Sequence, residues 1–143
     1  MKPVRVASGC LLAATIGLLL GCEGGDVVPP PMVRECTGPI DFTVRGDTVP
    51  VFSWSPECKI GRIIVEQGFD EYWGSETCGM NDYTPPMMYG ETRPNTCPEE
   101  PAIPLTPGAT YTVSAWRFVT VMPESLGLLG QLTFTYLDSV RTP

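Results

Sequence analysis

The sequence predicts an all-β protein, an antiparallel sandwich of about seven short strands. Three observations carry that prediction. Apolar residues alternate with polar ones over short runs, as in strands with one buried face. Proline (16) and glycine (15) gather at the breaks between those runs. No internal repeat or low-complexity tract interrupts them. With residues 1–21 set aside, 122 of the 143 residues remain. That length suits one domain with a modest core.

The elements follow in chain order. The opening, MKPVRVASGCLLAATIGLLLGC, places Lys2 and Arg5 ahead of an uncharged run from Val6 to Leu20. The run has the length of a signal-peptide core and is short of the ~20 residues a membrane-spanning helix needs. It closes on Leu19-Leu20-Gly21-Cys22, which resembles the lipobox of bacterial lipoproteins. The resemblance implies cleavage before Cys22, a diacylglycerol on its sulfur and an acylated amino group. Several acyl chains on one cysteine suffice for stable anchoring, where a single chain would be marginal. Cys10 would be discarded with the signal. Glu23, rather than aspartate, follows Cys22 and leans the expected location toward the outer membrane.

Residues 23–35, EGGDVVPPPMVRE, read as a tether, flexible at the glycines and stiffened by Pro29 to Pro31. Ile40, Phe42 and Val44 predict a first strand, and Gly46-Asp47 a turn. Val51 to Ser55 predict a second strand with Phe52 and Trp54 on one face. Residues 59–67 predict a third, with Ile63 and Val65 the core pair. From Gly68 to Pro101 the text is irregular; FDEYWGSE and TPPMMYGET predict short edge strands. In residues 102–119, Leu105, Pro107 and Tyr111 stand in the order Leu-x-Pro-x-x-x-Tyr, and Tyr111, Val113 and Ala115 then share a face. Residues 130–137, GQLTFTYL, predict the last strand, with Leu132, Phe134 and Tyr136 facing in.

The Leu-Pro-Tyr order resembles the E–F corner of a fibronectin type III domain, an immunoglobulin-like sandwich. In that family the tyrosine hydroxyl bonds back to backbone upstream. VFSWSP resembles its strand B with a core tryptophan, and GQLTFTYL fits its strand G. The resemblance covers about residues 38–138. It implies a scaffold and no particular chemistry. The expected organisation is a signal peptide at 1–21, a lipidated cysteine and tether at 22–37, the sandwich at 38–138 and a tail at 139–143.

Cys36, Cys58, Cys78 and Cys97 remain after the lipid site. Export places them in an oxidising compartment, so two disulfides are expected. The sandwich resemblance implies the pairs. Cys36 precedes strand A and Cys58 follows strand B, so these two meet, and Cys78 with Cys97 closes the long middle segment.

Composition excludes several classes. Loss of Lys2 and Arg5 from nine basic residues leaves seven against 16 acidic ones, a balance of −9 that repels nucleic acid and anionic lipid headgroups. The chain has no histidine, so Ser-His-Asp and Cys-His sites and histidine-ligated zinc are out of reach. No P-loop, G-x-S-x-G or G-x-G-x-x-G occurs. No cofactor is expected. Asp70, Glu71, Glu76 and Asp82 are read in one loop region and are the carboxylates a small hydrolase or a calcium site would use. In an acidic protein they read more simply as solvated acids. Arg45-Gly46-Asp47 spells an integrin-recognition tripeptide and reads as a hairpin turn.

Trp116 and Phe118 face away from the core if Tyr111 and Val113 face it, and Ile64 can join them. A contiguous apolar patch of this kind marks a contact surface unless the middle segment or the tether folds over it. Tyr72 and Trp73 could stack on sugar rings, although Trp73 reads as core. The expectation is therefore a non-catalytic, lipid-anchored envelope module that contacts a protein partner or a glycan. The alternatives are a carbohydrate-binding module using exposed aromatics and, behind it, a carboxylate-dependent envelope hydrolase.

Overall fold

The computed structural model describes residues 32–46, 48–119 and 125–137. The expected signal peptide, Cys22, most of the tether, Asp47 and the tail 139–143 lie outside the described residues. The strands are β1 (Asp41–Arg45), β2 (Val51–Ser55), β3 (Arg62–Gln67), β4 (Asp70–Glu76), β5 (Met87–Met88), β6 (Thr110–Val119) and β7 (Ser125–Thr135). They form two antiparallel sheets, one ordered β1-β2-β5 and the other β4-β3-β6-β7. The described residues form an all-β sandwich of seven strands.

Alternation in the sequence decides which side chains meet between the sheets. Phe42, Phe52, Trp54 and Met87 from one sheet are buried, as are Ile63, Val65, Trp73, Tyr111, Val113 and Ala115 from the other. Phe52 stacks on Trp73 at 6.1 Å and meets Phe134 edge-on at 5.7 Å. A fully buried side chain of this size contributes about 1.5–3 kcal/mol relative to exposure, so this layer dominates folding. Trp54 can be buried because its indole N–H donates to the Cys58 carbonyl at 2.8 Å. The β1–β2 turn needs glycine at position 46, where φ is +94° and a Cβ would meet the Val49 carbonyl oxygen at 2.4 Å.

Two bulges adjust the larger sheet. Val65 opposes Trp73 and Glu66 opposes Glu71, which leaves Tyr72 as an extra residue on β4. The bulge turns Tyr72 toward the core as well as Trp73, and Tyr72 meets Tyr111 edge-on at 5.0 Å. Ala115 opposes Gly130 and Trp116 opposes Leu128, which leaves Leu129 extra on β7. Leu129 is buried, and its carbonyl accepts from the Ile40 amide at 3.1 Å, joining the two sheets along one side. Gly130 allows this approach, since a Cβ there would meet the Ile40 oxygen at 2.4 Å.

The corner before β6 closes as the resemblance implies: the Thr106 amide donates to the Tyr111 hydroxyl at 2.9 Å. Cys36 is bonded to Cys58, with Cα atoms 4.9 Å apart, and Cys78 to Cys97, at 5.2 Å. Each bond adds about 3 kcal/mol by constraining the unfolded chain.

The stretch between β4 and β6 has little regular structure but is pinned throughout. Ile60 and Tyr83 exchange backbone hydrogen bonds at 2.9 and 3.0 Å. The Tyr83 hydroxyl sits between Ser75 and Thr96, 2.8 Å from each hydroxyl. Arg93 donates to the carbonyls of Thr84 and Pro86 and to Glu91. The TPPMMYGET strand shrinks to two residues, because Pro85 and Pro86 precede it and a turn from Met88 to Glu91 ends it. The last strand also departs from expectation. It starts at Ser125 rather than Gly130 and stops at Thr135, because β6 runs to Val119 and offers partners that far.

Candidate functional site

The outer face of the larger sheet carries the expected contact residues. Register fixes its rows. Glu76, Arg62, Trp116 and Leu128 stand side by side across β4, β3, β6 and β7, and Gly74, Ile64 and Ser114 form the next row. Beyond Trp116, Phe118 opposes Leu126. Directly opposed residues share a face, as do residues two apart on one strand.

The expected patch of Ile64, Trp116 and Phe118 needs correction. Ile64 is only 7% exposed and is no surface residue. The Trp116 indole N–H donates to the Ser114 hydroxyl at 3.1 Å, so the ring lies back along β6 and over that row. On the other side Glu71 leans over Gly74, where a Cβ would meet its carboxylate, and approaches Arg62 at 3.4 Å. Ile64 is closed in between them.

Phe118 is half-buried, with its ring against Gly61. Its backbone is held by Asn81, which accepts from the Phe118 amide at 2.9 Å and donates to its carbonyl at 3.1 Å. One side-chain amide thus does the work of a neighbouring strand. The middle segment therefore covers part of the patch. The exposed apolar surface comes instead from β7: Leu128 is 50% exposed and Leu126 37%, beside a half-buried Trp116. The alternation Leu126-Gly127-Leu128 was the available signal for them.

The four acids do not converge on one point. Glu71 and Glu76 both face Arg62, each at 3.4 Å. Asp82 pairs with Lys59 at 2.7 Å and accepts from Asn95. Those hydrogen bonds, the lysine's first, hold its carboxyl below the ordinary range. Asp70 is exposed in the β3–β4 hairpin. Among the described residues no group of three potential metal ligands is close enough to hold an ion. Tyr72 and Trp73 both belong to the interior face, Trp73 at 5% exposure.

Among the carboxylates, one the sequence did not single out has the most altered titration. Glu99 lies in a cleft of about 370 Å³ between the β4 edge and residues 97–103, lined also by Arg62, Glu71, Gly74 and Glu76. The residue reaches solvent, yet its carboxyl is drawn against β4. Burial there pushes its pKa up to about 7, against hydrogen bonds from the Glu76 amide and Ser75 and the attraction of Arg62. Nothing in Cys97-Pro98-Glu99-Glu100-Pro101 announces this, because the effect comes from β4. Arg45 ends β1 and Gly46 follows it, while Asp47 of the tripeptide lies outside the described residues.

No family model, curated protein or solved structure matches the chain. The site must therefore be read from its own residues. It consists of an apolar stripe, Trp116, Leu128 and Leu126, on the outside of a disulfide-bonded β-sandwich.

Proposed function

We propose that the chain is a non-catalytic, lipid-anchored module of the bacterial cell envelope that works by contact, as an interaction or accessory component. The observation that carries this reading is the stripe of Trp116, Leu128 and Leu126 left open on a sandwich whose other large apolar strand residues mostly pack inward. Apolar surface of this kind on an exported domain is suited to a contact. The leader and the Leu-Leu-Gly-Cys sequence support the anchor, and the tyrosine corner and the order of strands support a fibronectin type III-like scaffold. Glu23 after Cys22 favours the outer membrane.

The test is the intact mass and membrane partitioning of the wild type beside Cys22→Ala, without reductant. The wild type is expected in the membrane fraction, heavier than the chain from Cys22 by its acyl groups, with the variant lacking both properties. A soluble, unacylated wild type would sink the anchor.

A second reading, a carbohydrate-binding module, is favoured by the lie of Trp116. Its indole is laid along the sheet by the bond to Ser114, beside Arg62 with its two carboxylates. A flat ring flanked by planar polar groups suits a sugar. Binding to isolated glycan strands that disappears in Trp116→Ala, with the unfolding transition unchanged, would select this reading.

A further inference from the structure

The described chain begins at the end of the sandwich that carries the apolar stripe. Lys59 donates its amide to the Arg34 carbonyl at 2.8 Å, and Cys36 donates to the Lys59 carbonyl at 2.9 Å. Asn81 links this segment to β6, donating to Glu35 at 3.2 Å as well as to the Phe118 carbonyl. Residues 34–36 therefore lie beside the end of β6 and the start of β7. The other end of the sandwich holds the β3–β4 hairpin, with Phe69 fully exposed, and the end of β7, where Tyr136 donates to the Thr48 carbonyl.

Chain length bounds how far this end can stand from the anchor. Met32 stands ten residues after Cys22. Fully extended, that stretch reaches at most about 35 Å. A ten-residue strand such as β6 is itself about 33 Å long. A lipid on Cys22 thus keeps the near end within about one domain length of the bilayer, and the tether enters the sandwich beside the stripe rather than at the Phe69 end.

The near end also has suitable chemistry. Leu126 and Leu128 are exposed, and tryptophan is favoured at the level of lipid headgroups. Arg34 is exposed at the same end and able to meet phosphate, next to the exposed Glu35. So small an apolar area would hold a free domain on a membrane only weakly. A short tether changes that by making the second contact intramolecular.

We propose that this end of the sandwich lies on the bilayer surface, with Trp116, Leu126 and Leu128 at the boundary between headgroups and acyl chains. The inference rests on the anchoring of Cys22 proposed above. It makes the contact of the stripe a lipid one, in place of a protein partner or a glycan, and it leaves the Phe69 end facing the aqueous side.

The experiment uses the full lipidated chain in vesicles of phosphatidylethanolamine and phosphatidylglycerol, with or without brominated acyl chains. Flotation reports anchoring, and tryptophan emission reports docking. Trp54 and Trp73 are buried at 3% and 5% exposure, so Trp116 is the tryptophan within reach of the lipid. Brominated lipid is expected to quench the emission, and Trp116→Phe is expected to abolish the quenched component. Replacing Leu126 and Leu128 together by serine should reduce quenching while flotation persists, and Phe69→Ser should change neither. A chain that floats without quenching overturns the docking and leaves the anchor standing. A chain that does not float overturns both. Trp116-dependent retention on glycan strands without quenching overturns the lipid assignment in favour of a sugar.

Discussion

Tyr111→Phe removes one oxygen from the corner before β6. The Tyr111 ring is 1% exposed, and it packs on Tyr72 at 5.0 Å and Phe134 at 6.0 Å. Phenylalanine keeps those contacts. What disappears is the acceptor of the Thr106 amide, 2.9 Å away in a part-buried corner. A lost hydrogen bond costs about 1 kcal/mol, and up to about 3 if the donor stays dry. For a domain of this size each kcal/mol shifts the melting temperature by about 4–8 °C. The assay is equilibrium urea unfolding with disulfides intact, followed by tryptophan emission. The expected result is a lower midpoint with the slope unchanged, and a smaller loss than the roughly 3–5 kcal/mol of an alanine that also removes a ring. An unchanged midpoint in Tyr111→Phe would refute the idea that the hydroxyl stabilises the corner.

Two further outcomes follow from the site. Glu99 has its pKa raised to about 7, so the folded state binds that proton more tightly than the unfolded chain does. Its contribution to stability is present below the ordinary carboxylate range and is lost as pH rises through about 7; Glu99→Gln should flatten the fall in melting temperature over that window, and a parallel curve would count against the burial argument. Asn81→Ala removes both partners of the Phe118 backbone and the bond to Glu35; a cost of about 2 kcal/mol is expected, measured by urea unfolding, with the end of β6 exchanging amide hydrogens faster, and unchanged exchange there would refute the strand-like role of Asn81.

The interior was legible because strands have a period of two. Phe52, Trp54, Ile63, Val65, Tyr111, Val113 and Ala115 are each buried on the face that alternation predicted. The tyrosine corner was legible because it is local, five residues from Thr106 to Tyr111. The outer face was not. Whether Ile64 is open depends on which way Trp116 lies, and that is settled by a bond to Ser114. The start of β7 depends on how far β6 runs as its partner, so Leu126 and Leu128 fell ahead of the strand predicted from Gly130. Glu99 owes its titration to β4, more than twenty positions earlier in the chain. Such effects arise between segments, and no window of sequence contains them.

The Cys36–Cys58 bond has a mechanical consequence. Both β1 and β2 lie between the two cysteines. A pull applied ahead of Cys36 and resisted at the far end of the chain runs through the sulfur atoms and bypasses everything from 37 to 57. Here the first hairpin bears no tension, and force passes from the leading segment directly to the residues that enter β3. A chain tugged at its leading end would extend without ever unzipping its first two strands.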